Sequence, residues 1–192
     1  AWGYANNVPS TDAILAVANS TMYGGAGYSW AEIGTFSGGN SAATGVAIHE
    51  FGHSLANLAD EYFYEGDTYT GSEPSARNAS VYNSSEMESN GTKWANWLGE
   101  SGWPWDGTCS TYEGCMYADY GIYRPSNNSM MRSLNRPFNQ PSAESFIIEM
   151  YNIVNPLDDY TPAGVIDASE TVFVTVVEIG HPMQIQWFLN GT

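Results

Sequence analysis

The sequence predicts an α+β domain followed by a short β segment. Three observations carry this reading. A brief apolar run near the start has the length of a buried strand. Two later stretches repeat their apolar residues at steps of three and four. Residues 165–192 alternate apolar and polar positions.

Taken in order, residues 13–19 (AILAVAN) read as a buried strand. Residues 23–27 (YGGAG) are a turn-rich break, and residues 28–35 (YSWAEIGT) read as a second strand at the edge of the sheet. The loop over 36–41 ends in a helix cap at Asn40 or Ser41. From Ala42 to about Leu58 the pattern is helical, with Thr44, Ile48, Phe51, Leu55 and Leu58 forming one stripe. Residues 62–128 are rich in Gly, Ser, Asn, Tyr and Pro and read as functional loops with one short helix over 93–98. Residues 142–154 form a second helix, capped by Ser142 and stopped by Asn155-Pro156. A linker over 157–164 follows, and then strands marked by Val172, Val174, Val176, Ile185, Trp187 and Leu189. These are too few strands for an independent domain, so the tail reads as a truncated β-sandwich. The predicted division is 1–160 for the main domain and 161–192 for linker and stub.

Composition narrows the function. The 192 residues carry 21 Asp+Glu against 5 Lys+Arg, a net charge of −16. So few cations exclude a nucleic-acid footprint and adhesion to an anionic membrane. No run of apolar residues is long enough for a transmembrane helix. With 43% hydrophobic and 14% aromatic residues the chain has the means to collapse. Cys109 and Cys115 read first as a local disulfide, which implies an oxidising compartment. Two reduced thiols are the plain alternative. A metal pair is the weakest, since no histidine lies between His53 and His181. The first residues show no signal-peptide pattern, and the chain reads as part of a longer secreted or cell-surface protein.

The chemistry concentrates at His49-Glu50-Phe51-Gly52-His53. On a helix, residues i and i+4 share one face, so two imidazoles there can grip one Zn²⁺. Glu50 follows the first imidazole and can act as general base toward a water on the open side of the metal. Catalytic zinc asks for a third protein ligand. In one large group of zinc peptidases a glycine ends the helix and the third ligand follows three residues later; Asn57 tolerates the same left-handed conformation, and Asp60 lies three residues further on. Asp60 is therefore the expected third ligand, with Glu61 its rival. Asp158-Asp159 could hold Ca²⁺, but isolated acidic pairs are usually solvated.

The run HEFGHSLANLADEY resembles the IgA-peptidase-like family of metzincin zinc metallopeptidases. The blocks NSTMYGGAG (19–27), YEGCM (112–116), GIYRP (121–125) and NSMMRS (128–133) extend the likeness in the same order. The resemblance implies a twisted, α/β-like upper sheet, the histidine helix along the floor of a cleft, a loop-rich lower part and a closing helix. It also implies a methionine turn beneath the zinc, at Met131. Ala56 and Ala59 stand where many metzincins carry a glycine and a third histidine. The chain also begins inside the upper sheet, so the domain reads as N-terminally truncated. No tyrosine follows Met131 closely, so a tyrosine ligand is not indicated there.

The resulting expectation is a zinc endopeptidase acting on extracellular proteins or peptides. Substrate would pair with the edge strand near 28–35. Tyr123 or Arg124 would stabilise the oxyanion or shape a specificity pocket. The competing readings are an idle secreted binding module that keeps its zinc site, and a zinc amidase acting on small acyl compounds.

Overall fold

A computed structural model describes residues 11–102, 104, 106–167, 169–177 and 185–188. Its architecture is mixed α+β. The first sheet comprises β1 (Ile14–Ala18), β2 (Gly25–Tyr28) and β3 (Ile33–Ser37), in the order β1-β3-β2. β1 runs parallel to β3, and β2 antiparallel to it. The strand expected over 28–35 is thus divided. Tyr28 closes β2, Ser29–Ala31 form a 3-10 turn, and Glu32 reverses the chain at φ +53° before β3 begins. β3 is the central strand, and β1 and β2 lie at its two sides.

The reason lies in Gly25-Ala26-Gly27. A Cβ on Gly27 would come within 2.5 Å of the Glu50 carbonyl oxygen and of the His53 Cβ. One on Gly25 would lie 2.6 Å from the Glu50 carboxylate. Only a strand without side chains at these positions can rest on the helix so closely.

That helix is α1 (Ala43–Ser54). Its N-cap is Ala42 without a side-chain cap bond, so the cap expected at Asn40 or Ser41 is not formed; Asn40 instead holds the preceding turn, its side-chain oxygen accepting from the Ala42 amide at 2.9 Å and its carbonyl from the Ala43 amide at 3.1 Å. The helix ends four residues before the predicted Leu58. Leu55 makes the last regular bond, to the Phe51 carbonyl, and Asn57 turns the chain at φ +48°. The Leu58 amide then donates back to the Gly52 carbonyl at 3.1 Å. Ala56, Leu58 and Met131 form a core cluster beside the helix, with Phe138 and Phe146 packed against it. Ile48, placed in the stripe from the sequence, is exposed.

The stretch expected to be loops contains a second sheet: β4 (Phe63–Thr68), β5 (Tyr112–Cys115) and β6 (Tyr117–Arg124), ordered β4-β6-β5. It also contains α2 (Ser84–Asn90), closed by a capping box in which Asn83 and Glu86 bond reciprocally to each other's amides. The helix expected over 93–98 is reduced to the 3-10 turn Ala95–Trp97. Gly91, left-handed at φ +57°, ends α2 just before it. Trp94 is fully buried, its indole N–H donating to the Ser110 carbonyl at 2.8 Å.

The expected disulfide is not formed; both cysteines are free thiols. Each is held in a different cluster. Cys109 packs with Met87 and Trp94, while Cys115 packs with Ala76, Ala79, Ala118 and Ile122. The Cys115 thiol donates to the Asp60 carbonyl at 3.2 Å. Burial pushes the Cys109 thiol up to about 12, and raises Cys115 in the same direction.

The chain divides into two compact units, Ala1–Glu149 and Met150–Thr192. The closing helix α3 (Gln140–Ile153) starts at Asn139 rather than Ser142: the Asn139 side chain accepts from the Ser142 amide at 3.2 Å. In the second unit β7 (Leu157–Tyr160) pairs antiparallel with β8 (Val174–Val176). The predicted linker therefore carries a strand. Residues 185–188 have no regular structure, and Leu189 lies outside the described residues. Among the described residues no helix is long and apolar enough to cross a membrane.

Candidate metal centre

His49 and His53 project from one face of α1, their ring centroids 4.7 Å apart. Each ring is oriented by a backbone carbonyl. His49 Nδ1 lies 3.0 Å from the Met130 carbonyl oxygen, and His53 Nδ1 lies 2.6 Å from that of Leu58. A carbonyl only accepts, so both Nδ1 atoms carry protons. In the neutral rings both Nε2 atoms then present lone pairs.

Those lone pairs meet, with Nε2 of His49 and of His53 3.1 Å apart. Asp60 Oδ1 lies 3.0 Å from the first and 3.2 Å from the second. Three acceptors therefore converge with no donor among them, an arrangement that repels itself unless a cation lies between. Four-coordinate zinc with ligands at about 2.0–2.1 Å requires tetrahedral neighbours about 3.3 Å apart. The three observed separations fit that spacing. Two imidazoles and one carboxylate also leave a fourth side open, toward a cavity of about 410 Å³ lined by Gly25, Ala26, Gly27, Glu50, Tyr62 and Tyr117 among others.

Glu50 is the alternative carboxylate. One of its oxygens lies within 4.8 Å of the imidazole nitrogens, so proximity alone would admit His49, Glu50 and His53 as a metal-holding group. Asp60 is nearer to both rings and faces them with a single oxygen. Its other oxygen accepts the Tyr117 hydroxyl. Burial opposes the Asp60 charge, but its close approach to the His49 and His53 rings and the Tyr117 hydroxyl outweigh it and hold this carboxyl well below the usual carboxylate range. Burial moves Glu50 the other way: despite the two nearby histidines its affinity for a proton is raised, which suits a base.

Glu61, the rival to Asp60, points away from the rings. It is fully buried. Its carboxylate accepts Asn78 at 3.0 Å, Asn139 at 2.7 Å and Ser129 at 2.7 Å. Its amide donates to the Met131 carbonyl at 2.8 Å. Glu61 thus ties the segment carrying Asp60 to the turn holding Met130 and Met131. Met131 is fully buried beneath α1, where a Cβ on Gly52 would lie 2.8 Å from its sulfur.

Neither Tyr123 nor Arg124 lines this cavity. Arg124 is buried and donates to the carbonyls of Glu113 (2.5 Å) and Gly114 (2.6 Å), bracing the β5–β6 sheet. Tyr123 pairs through its backbone with Ser80. The phenols at the site are Tyr62 and Tyr117. Tyr117 occupies a two-residue hairpin turn in which both central residues are left-handed, Met116 at φ +47° and itself at φ +69°. Glycine and asparagine normally fill such turns, and each bulky substitute costs on the order of 1–3 kcal/mol. The strain places a phenol on Asp60. That non-glycine pair was the available sequence signal, visible only once the hairpin is known.

His49 and His53 on one helix face, with the Asp60 and Glu50 carboxylates beside them, form a group that could hold a metal ion. The match to known families agrees: the IgA peptidase M64 model covers residues 2–109. The chain belongs to that peptidase family. No curated protein matches the chain.

Proposed function

We propose that this protein is a zinc-dependent endopeptidase of metzincin type, with His49, His53 and Asp60 holding the metal and Glu50 as general base. The observation that carries the reading is the convergence of three lone-pair donors beside a carboxylate with raised proton affinity. Met131, packed beneath the histidine helix, supports the metzincin assignment. Zinc in this position would supply a Lewis acid for the scissile carbonyl and for the attacking water. Glu50 accepts the proton of that water and delivers it to the leaving amine. The outer edge of β2, whose Gly25, Ala26 and Gly27 line the cavity, offers backbone groups to an extended peptide. This replaces the expected docking along 28–35, whose latter half lies in the central strand.

The site continues past His49 and Glu50 into a second cavity of about 450 Å³. A groove open on both sides of the reacting centre suits a peptide better than a small amide. A retained base argues against an idle binding module. The acidic surface suits an extracellular setting. The test is digestion of casein and mixed peptides by zinc-loaded protein. Hydrolysis abolished by a chelator and by Glu50→Gln, with zinc retained in that variant, is expected. Turnover by zinc-loaded Glu50→Gln contradicts the role given to this residue.

A further inference from the structure

The five cations of this chain are unequally neutralised. Lys93 pairs with Glu73 at 3.2 Å and Arg136 with Asp106 at 3.0 Å. Arg132 differs. Among the described residues no carboxylate lies within 4.0 Å of its guanidinium, although the chain has 21 acidic residues to offer. Its guanidinium is held by other means. It donates to the Asn127 carbonyl and lies 5.3 Å from the Phe63 ring centroid. The buried Arg124 lies 5.5 Å from the same ring and reaches the same carbonyl at 3.5 Å. Two guanidinium groups thus share one phenyl ring and one carbonyl, and each raises the local positive potential at the other.

Arg132 lines the second cavity, the one that shares His49, Glu50 and Tyr62 with the candidate centre. The two halves of the groove therefore differ in charge. Beside the three donors that would hold a metal, the half containing Asp60 is lined by Glu50 and by no Lys or Arg. The half beyond His49 shares that Glu50 and is lined in addition by the half-buried Arg132. A planar guanidinium fixed in place and free of a carboxylate matches the geometry of an incoming one.

We infer that Arg132 is a specificity residue that receives a carboxylate of the bound peptide, from an acidic side chain or from the chain terminus, on one side of the reacting centre. The inference rests on the peptide-binding reading above but not on hydrolysis.

The test uses zinc-loaded Glu50→Gln protein and fluorescein-labelled peptides in three forms. One is acidic and capped at both ends, one is its Asn/Gln counterpart, and one is neutral with a free C-terminus. A carboxylate peptide should bind at least ten-fold more tightly than the capped neutral one. Preference for the capped acidic peptide assigns a side chain, and preference for the free C-terminus assigns the terminus. In the Glu50→Gln background, Arg132→Lys should keep much of the preference, and Arg132→Glu should abolish or invert it. Equal binding of all three peptides overturns the inference, as does a preference that survives Arg132→Glu. The comparison without an Arg132 substitution stands even if that variant misfolds. Selective binding without turnover by the Glu50-containing protein would defeat the peptidase reading alone. Turnover with no carboxylate preference would defeat this inference alone.

Discussion

Asp60 illustrates how one side chain is made into a ligand. Its Oδ1 is available to the imidazoles because Tyr117 holds Oδ2, while the Met116 amide and the Cys115 thiol hold its carbonyl. Removing the carboxylate should cost far more than loosening it. Asp60→Ala is expected to lower zinc affinity at least about hundred-fold in competition with a chromophoric chelator. Tyr117→Phe, which frees Oδ2 but keeps the ring, should lower it about ten- to hundred-fold. Unchanged affinity in Asp60→Ala would move the ligand role to Glu50. The thiols make a second prediction at this scale. Their affinity for protons is higher folded than unfolded, so folding protects the thiol form. That contribution is complete below the ordinary thiol range and is lost as pH rises from about 9 toward 12. Native protein at pH 8 should resist iodoacetamide and label at both cysteines once unfolded in urea. A single labelled site would show that one thiol is engaged elsewhere.

At the scale of elements, β2 and α1 fit together through glycine. Gly27→Ala introduces a Cβ against helix backbone, which cannot yield as a side chain could. The expected outcome is a loss of several kcal/mol in urea unfolding, or no soluble protein. α2 depends instead on its cap, and Asn83→Ala should cost about 1 kcal/mol by the same measurement. These two elements also mark what the sequence made legible. The histidine pair at i, i+4 follows from local geometry, so α1 could be placed from the residues alone, although it ends four residues earlier than expected; Asp60 was reached through the turn-to-ligand offset of related zinc peptidases. The capping box at Asn83 and Glu86 was equally local and was overlooked amid a polar stretch. β4, β5 and β6 were not legible, because residues such as Gly66, Asp119 and Gly121 interrupt any alternation. Their pairing comes from contacts distant in sequence, such as Phe63 with Tyr117. Arg124 was misread for the same reason: its neighbour in a YRP run says nothing of the carbonyls it satisfies across the sheet.

For the whole molecule, the centre joins segments that secondary structure alone does not connect. α1, the turn carrying Asp60, the hairpin bearing Tyr117 and the turn holding Met130 all meet there. A cation on those donors would bind the folded chain and not the unfolded one, so zinc should stabilise the fold by about 2.7 kcal/mol at a hundred-fold excess over Kd and raise the melting temperature in a concentration-dependent way. A chelator should reverse it. The net charge of −16 adds self-repulsion on top, which salt relieves without reference to the site.

The central claim concerns which atoms hold the metal, and zinc K-edge X-ray absorption of the loaded protein reads those atoms directly. The account predicts two imidazole scatterers and only N/O ligands, at about 2.0–2.2 Å. A sulfur shell at about 2.3 Å would move the ion to the cysteines, and a spectrum without imidazole would contradict the account outright.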